Sequence, residues 1–172
     1  MATNLQFIKS AESLSTVSSI SVTDCFNANY DVYEVHINKI DITNTDWIQW
    51  TYLDSGGSPI TSALYDEAVL EMLSYASFVE SRSTGRTEHL RGMRGTSGIS
   101  DLGGLKITIF NPYSSSSYTF SKVQSSGFVN GGGLFGAKGI YVLKQSATHT
   151  GIKVTATGAN MDNVTVKVYG VK

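Results

Sequence analysis

The sequence predicts an all-β protein, an antiparallel β-sandwich of jelly-roll-like form with one short helix or helical insertion. Three observations predict it. Charged residues are only 16% of the 172, and 23 Ser and 17 Thr take their place, the reverse of the Ala-, Glu-, Lys- and Leu-rich make-up of a helical bundle. Short β-branched and aromatic runs recur between Gly, Asn and Ser, as strands between turns do. In the clearest runs one face is apolar and the other polar: Val164, Val166 and Val168 alternate with Thr165, Lys167 and Tyr169, and Leu105, Ile107 and Ile109 with Lys106, Thr108 and Phe110, the period-2 signature of a half-buried strand.

In chain order, residues 1–19 carry one lysine and no continuous apolar run, so no secretory signal is expected there. They are read as an amino-terminal tail or docking arm ahead of a single domain over residues 20–172, a length that suits one core. Strands are expected at residues 17–22, 30–37, 47–53, 105–110, 118–123, 140–144, 152–157 and 164–171, a number that fits a sandwich or barrel. Turns are expected at Asp54-Ser-Gly-Gly-Ser-Pro59, Asn111-Pro112, Asn130-Gly-Gly-Gly133 and Gly158-Ala-Asn160, where Gly, Pro and Asn supply the required backbone angles. Residues 62–80 lack Gly and Pro, and Leu64, Ala68, Met72, Tyr75 and Val79 recur at three- or four-residue steps. That stripe predicts a helix, against a competing strand at residues 69–78. Residues 81–104 show no apolar period and read as a long excursion, a kind of loop that tends to carry function.

Thirteen basic against fourteen acidic side chains leave a formal charge of −1, so neither general capture of nucleic acid nor membrane insertion is expected. The single Cys25 cannot form an internal disulfide and reads as a small buried hydrophobe. No Cys pairs, His-Glu-x-x-His or calcium-loop spacing occur, so neither metal nor cofactor is implied. Gly131, Gly133 and Gly136 match the dinucleotide fingerprint in spacing, but they lead into a predicted strand rather than a helix and read as a flexible turn. Asn163-Val-Thr165 matches a glycosylation acceptor, without a signal to give it meaning. Only His36, His89 and His149 are present and no Gly-x-Ser-x-Gly, so no catalytic residue is assigned. His36 and Glu34 read as an exposed polar ladder on one strand face.

Two features stand out as binding candidates. All four arginines, Arg82, Arg86, Arg91 and Arg94, fall in a thirteen-residue window, and all nine lysines lie outside it. Guanidinium forks suit interface contacts better than ammonium groups, so this window is a candidate docking arm. Trp47 and Trp50 are three apart and in a strand face opposite sides. One can enter the core; the other is free to stack on a sugar or fill an interface, against the plainer reading that both are buried by a second sheet or a neighbouring subunit.

The run Tyr30-Asp-Val-Tyr-Glu-Val-His-Ile37, the turn Asp54-Ser-Gly-Gly-Ser-Pro59, the segment Phe110-Asn-Pro-Tyr-Ser-Ser-Ser-Ser-Tyr-Thr119 and the ending Val166-Lys-Val-Tyr-Gly-Val-Lys172 together resemble, over most of the chain, the small β-sandwich virion structural proteins of tailed bacteriophages, of decoration or fibre type. Members commonly carry arginine on the strand before the Asp-Ser-Gly-Gly turn. This chain has Trp47-Ile-Gln-Trp-Thr51 there, so no surface contact of that strand carries over. The resemblance implies a non-enzymatic protein made in the host cytoplasm and displayed on the virion surface as a capsid decoration or head fibre. It further implies a homo-oligomer, a trimer being frequent, docked on the major capsid or a tail protein. A receptor-binding tip that recognises host surface polysaccharide is the alternative. A third reading, a glycan-cleaving enzyme, would need two facing carboxylates; the sequence offers no obvious pair, and Glu34 and Asp54 are the two whose mutation would test it.

Overall fold

The computed structural model describes residues 4–95, 103–129 and 133–172. Twelve strands form among them: β1 (Leu5–Ser13), β2 (Ser19–Val22), β3 (Val32–Ile42), β4 (Asp46–Leu53), β5 (Tyr65–Leu73), β6 (Val79–Arg86), β7 (His89–Gly95), β8 (Gly104–Phe110), β9 (Thr119–Val129), β10 (Gly133–Leu143), β11 (Gly151–Ala156) and β12 (Met161–Val171). They make two antiparallel sheets of unequal width. The wide one runs β1-β12-β3-β8-β9-β10-β5-β6 and the narrow one β2-β11-β4-β7. This is the all-β, two-sheet architecture the composition predicts, and the described residues contain no helix.

The core lies between the sheets and is built from alternate positions. Tyr33, Val35 and Ile37 of β3, Leu105, Ile107 and Ile109 of β8, and Val164, Val166 and Val168 of β12 point inward from the wide sheet and meet Ile48, Trp50 and Tyr52 of β4 and Ile152 and Val154 of β11. Each of these aliphatic side chains contributes about 1.5–3 kcal/mol on leaving water. Cys25 is buried in the same cluster, its thiol donating to the Val22 carbonyl oxygen at 3.3 Å, and burial pushes its pKa up to about 12.

Four sequence expectations are corrected. The predicted helix over residues 62–80 is the strand β5 followed by the hairpin into β6. On β5 the inward positions Tyr65, Glu67, Val69 and Glu71 include two carboxylates, while the outward ones include Ala68, Leu70 and Met72. Polar and apolar residues are therefore inverted with respect to the core, the period-2 signal cancels, and a coincidental spacing of 3–4 remains. The long excursion over residues 81–104 contains most of β6, all of β7 and the first residue of β8; residues 96–102 of it lie outside the described residues. β6 is the free edge of the wide sheet, exposed along most of its length, so nothing imposed an apolar alternation on it. The glycines Gly133, Gly136 and Gly139 belong to β10 rather than to a turn; residues 130–132, the rest of that expected turn, lie outside the described residues. Residues 5–13, read as part of a tail, pair with β12 from Leu5↔Val171 to Ser13↔Val164 as the other edge of the wide sheet.

The strand β7 brings the two sheets close together. Arg91 has φ +64, a left-handed conformation that a non-glycine residue adopts only under constraint, and β7 slips register against β4 between Ile48 and Trp50. At the next residue, Gly92, a Cβ would lie 2.7 Å from Trp50 Cζ3. His89, at the start of the strand, is fully buried, with Tyr65, Trp50, Tyr141 and Tyr52 ring centroids at 4.7, 5.1, 5.1 and 5.8 Å. Because Trp50 is fully buried and cannot yield, Gly92→Ala is expected to cost about 1–3 kcal/mol of overpacking strain, read as a lower urea midpoint at unchanged slope.

Burial also sets the acid behaviour of the core. It pushes His89 from the usual 6.5 down to about 3 and His149 down to about 4. Above 6.5 both are neutral whether the chain is folded or unfolded. Below it the unfolded chain takes up protons that the native state refuses, so stability falls as pH drops through that window toward about 3. His89→Leu should make this decline shallower, in urea midpoints recorded across the window. An unaltered slope would show that His89 does not drive it.

Candidate functional site

The arginine window is divided between two strands, and the structure gives its members different duties. Arg91 Nη1 donates to Glu67 Oε1 and to Ser83 Oγ, each at 3.1 Å, while Glu67 Oε2 accepts the Leu90 backbone N–H at 2.8 Å. The Glu67 side chain is 1% exposed, and burial raises its pKa in spite of Leu90 N–H and the guanidiniums of Arg86 and Arg91. This clasp ties β5 of the wide sheet to β7 of the narrow one. Arg86 Nη2 bonds Glu88 at 2.7 Å. Arg94 lies over the Trp47 ring at 5.6 Å, a cation–π contact. Arg82 alone of the four is exposed on an outer face with no ion pair among the described residues.

The two indoles are also placed apart. Trp50 is fully buried. Trp47 is half-buried, edge-on to Phe135 at 5.6 Å and capped by Arg94. Trp50 presents no ring face to solvent, and one face of Trp47 is taken by Arg94. Asp54 is a turn residue whose Oδ1 accepts from Gly56 N at 2.8 Å and Ser58 N at 2.9 Å. His36 Nε2 meets Glu34 Oε2 at 3.1 Å, and Lys106 Nζ meets Glu34 Oε1 at 2.6 Å. Partial burial alone would raise the Glu34 pKa, but these bonds outweigh it and hold the carboxyl below its usual value. Among the described residues no three His, Cys, Asp or Glu converge as a metal site, and no helix is long and apolar enough to cross a membrane.

The outer face of the wide sheet holds what the sequence reading missed. Its strand register lines side chains up across the sheet. One row runs Ser10, Lys167, His36, Lys106, Gln124, Lys138, Leu70, Glu80 and the next Phe7, Tyr169, Glu34, Thr108, Lys122, Ile140, Ala68, Arg82. In these two rows five cations accompany two carboxylates, on a chain whose formal charge is −1. Over β6, β5, β10, β9 and β8 the face is concave, enclosing an open hollow of about 990 Å³ bordered by Arg82, Lys106, Lys122 and Lys138 and floored by Leu70, Ala68 and Ile140. A second hollow of about 570 Å³ continues it past Phe120 and Val142. Lys106 and Lys167 were visible in the sequence on the polar faces of strands, whereas Lys138 fell in a segment read as a turn. What aligns them is register, which sequence alone does not show.

Further along the same strands, the β5–β6 and β9–β10 hairpins end side by side. There Tyr75, Phe78, Phe128 and Leu134 are 53, 63, 44 and 50% exposed, while Val79 pairs with the inward Glu71 and lies on the other side of the sheet. Phe128 and Leu134 are direct partners, and the Tyr75 ring packs against Gly133, where a Cβ would come within 2.2 Å of it. Ser74 locks the corner, its N–H donating to Leu134 O at 3.0 Å and its Oγ accepting from Leu134 N at 2.9 Å.

No protein-family model, curated protein or solved structure matches this chain.

The arginine geometry predicts unequal variants. Arg91→Met strands the buried Glu67 carboxylate and should cost about 3 kcal/mol. Arg82→Met should stay within about 0.5 kcal/mol, as exposed substitutions do. Urea unfolding of both checks this, and equal losses would remove the clasp from the account of stability.

Proposed function

We propose that this chain is a structural protein of a tailed-bacteriophage virion, displayed on the particle surface as a capsid decoration or head fibre, that acts by protein–protein docking as a homo-oligomer, a trimer in the simplest case. The observation that carries the docking part is the apolar end formed by Tyr75, Phe78, Phe128 and Leu134. Contiguous exposed apolar groups of this size mark interaction sites, and aromatic residues are enriched at the centres of interfaces. This patch therefore takes over the docking role that the sequence reading gave to the arginines, three of which are engaged within the chain.

Two further observations support the reading. A jelly-roll-like form is proposed with it, supported by connectivity: most connections between consecutive strands pass from one sheet to the other, and among the described strands only β5–β6, β8–β9 and β9–β10 are hairpins within a sheet. The hydroxyl-rich, sparsely charged composition suits a particle surface in salt water, where screening confines charge effects to short range. The virion assignment itself rests on the sequence resemblance.

The test is direct. Purified protein is mixed with bare capsids and with isolated tails, and bound particles are imaged; its mass in solution is measured by sedimentation. Occupied shells and a trimeric mass are expected. Phe78→Ser with Leu134→Ser should lose both while leaving the fold unchanged by circular dichroism. A monomer that occupies neither shells nor tails would overturn the proposal.

A further inference from the structure

We propose that the concave outer face of the wide sheet binds a linear acidic polysaccharide that carries its carboxylate or sulfate on alternate sugars. This inference goes beyond the docking reading and does not rest on it. The face lies about 20 Å along β9 from the apolar end, six residues at roughly 3.3 Å each. It also places glycan contact away from Trp47 and Trp50, which are packed within the fold.

Charge comes first. Lys122, Lys138 and Arg82 border the hollow with no ion pair among the described residues, and Lys106 shares Glu34 with His36. A cationic concavity on a protein of net charge −1 concentrates an anionic partner at that face.

Spacing then selects the partner. Lys167, Lys106 and Lys138 occupy one in-register row, with His36 and Gln124 on the strands between them. Neighbouring strands are about 4.8 Å apart, so lysines recur roughly every 9.6 Å. An extended acidic peptide presents same-face side chains about every 6.7 Å, and a nucleic-acid strand presents a charge about every 3.4 Å. Acids on alternate sugars are a disaccharide apart, which is nearest to the lysine repeat.

The floor suits sugars as well. Leu70, Ala68 and Ile140 offer an apolar surface to the C–H faces of pyranose rings, and Gln124 and Thr108 offer hydrogen bonds to hydroxyls. The hollow is open, with a continuation past Phe120, as a polymer in transit across the face requires.

The experiment titrates the full chain with sodium hyaluronate, whose carboxylates sit on alternate sugars, and in parallel with neutral dextran and with poly-L-glutamate at equal charge. Hyaluronate should bind, less tightly as salt rises, with poly-L-glutamate weaker and dextran silent. Lys122→Glu with Lys138→Glu should weaken hyaluronate binding by about tenfold or more, and the milder pair Lys122→Gln with Lys138→Gln by less. Lys153→Glu, on the narrow sheet, should leave it unchanged, and so should the Phe78→Ser, Leu134→Ser chain. Absent hyaluronate binding, equal binding of poly-L-glutamate, or full affinity in the doubly reversed variant would each overturn the proposal.

Discussion

A buried carboxylate allows a four-stranded sheet to close over an eight-stranded one. Glu67 sits on the inner face of β5, where an apolar residue would ordinarily be, and takes the Leu90 N–H and the Arg91 guanidinium from β7. That pair of bonds holds Arg91 at φ +64 and turns β7 across the wide sheet. With β7 in that position Gly92 admits the Trp50 ring and His89 enters its ring of aromatic side chains. A charge out of water is costly unless it is fully bonded, so the inward Glu67 fits only if β7 arrives in this one register. Specificity of sheet closure is bought with a group that would destabilise any looser arrangement.

How much could be read from the chain follows from where each strand's apolar residues point. β3, β8, β11 and β12 bury one side and wet the other, so their alternation is visible in the sequence. β5 hides because Glu67 and Glu71 face inward and Ala68 and Leu70 outward. β1 and β6 hide because an edge strand has few neighbours to satisfy and so few constraints on its residues. The arginines were legible as a cluster and misread as a loop, since hydroxyl-rich β6 resembles one in composition. Conversely, the lysines are scattered along 172 residues and come together only through pairings such as β12 with β3 and β3 with β8, between segments distant in sequence.

The unequal widths of the two sheets also explain why the binding candidates collect on one side. The narrow sheet covers the inner face of the wide one, and none of the described residues forms a layer over its outer face. That face is free to carry a cationic hollow in its middle and an apolar corner at its end, with register, rather than a loop, setting the distance between functional groups. Rigid strands hold such spacing better than connecting segments do.

The position of β12 has a consequence for how the protein is made. The last strand in chain order is inserted between β1, the first, and β3. Until residue 171 has cleared the ribosome, both neighbours present unpaired backbone edges, and an open edge is a template for pairing with other chains. The nascent polypeptide thus remains a client for chaperones until β12 emerges, and the native topology can close only once that strand is free to insert.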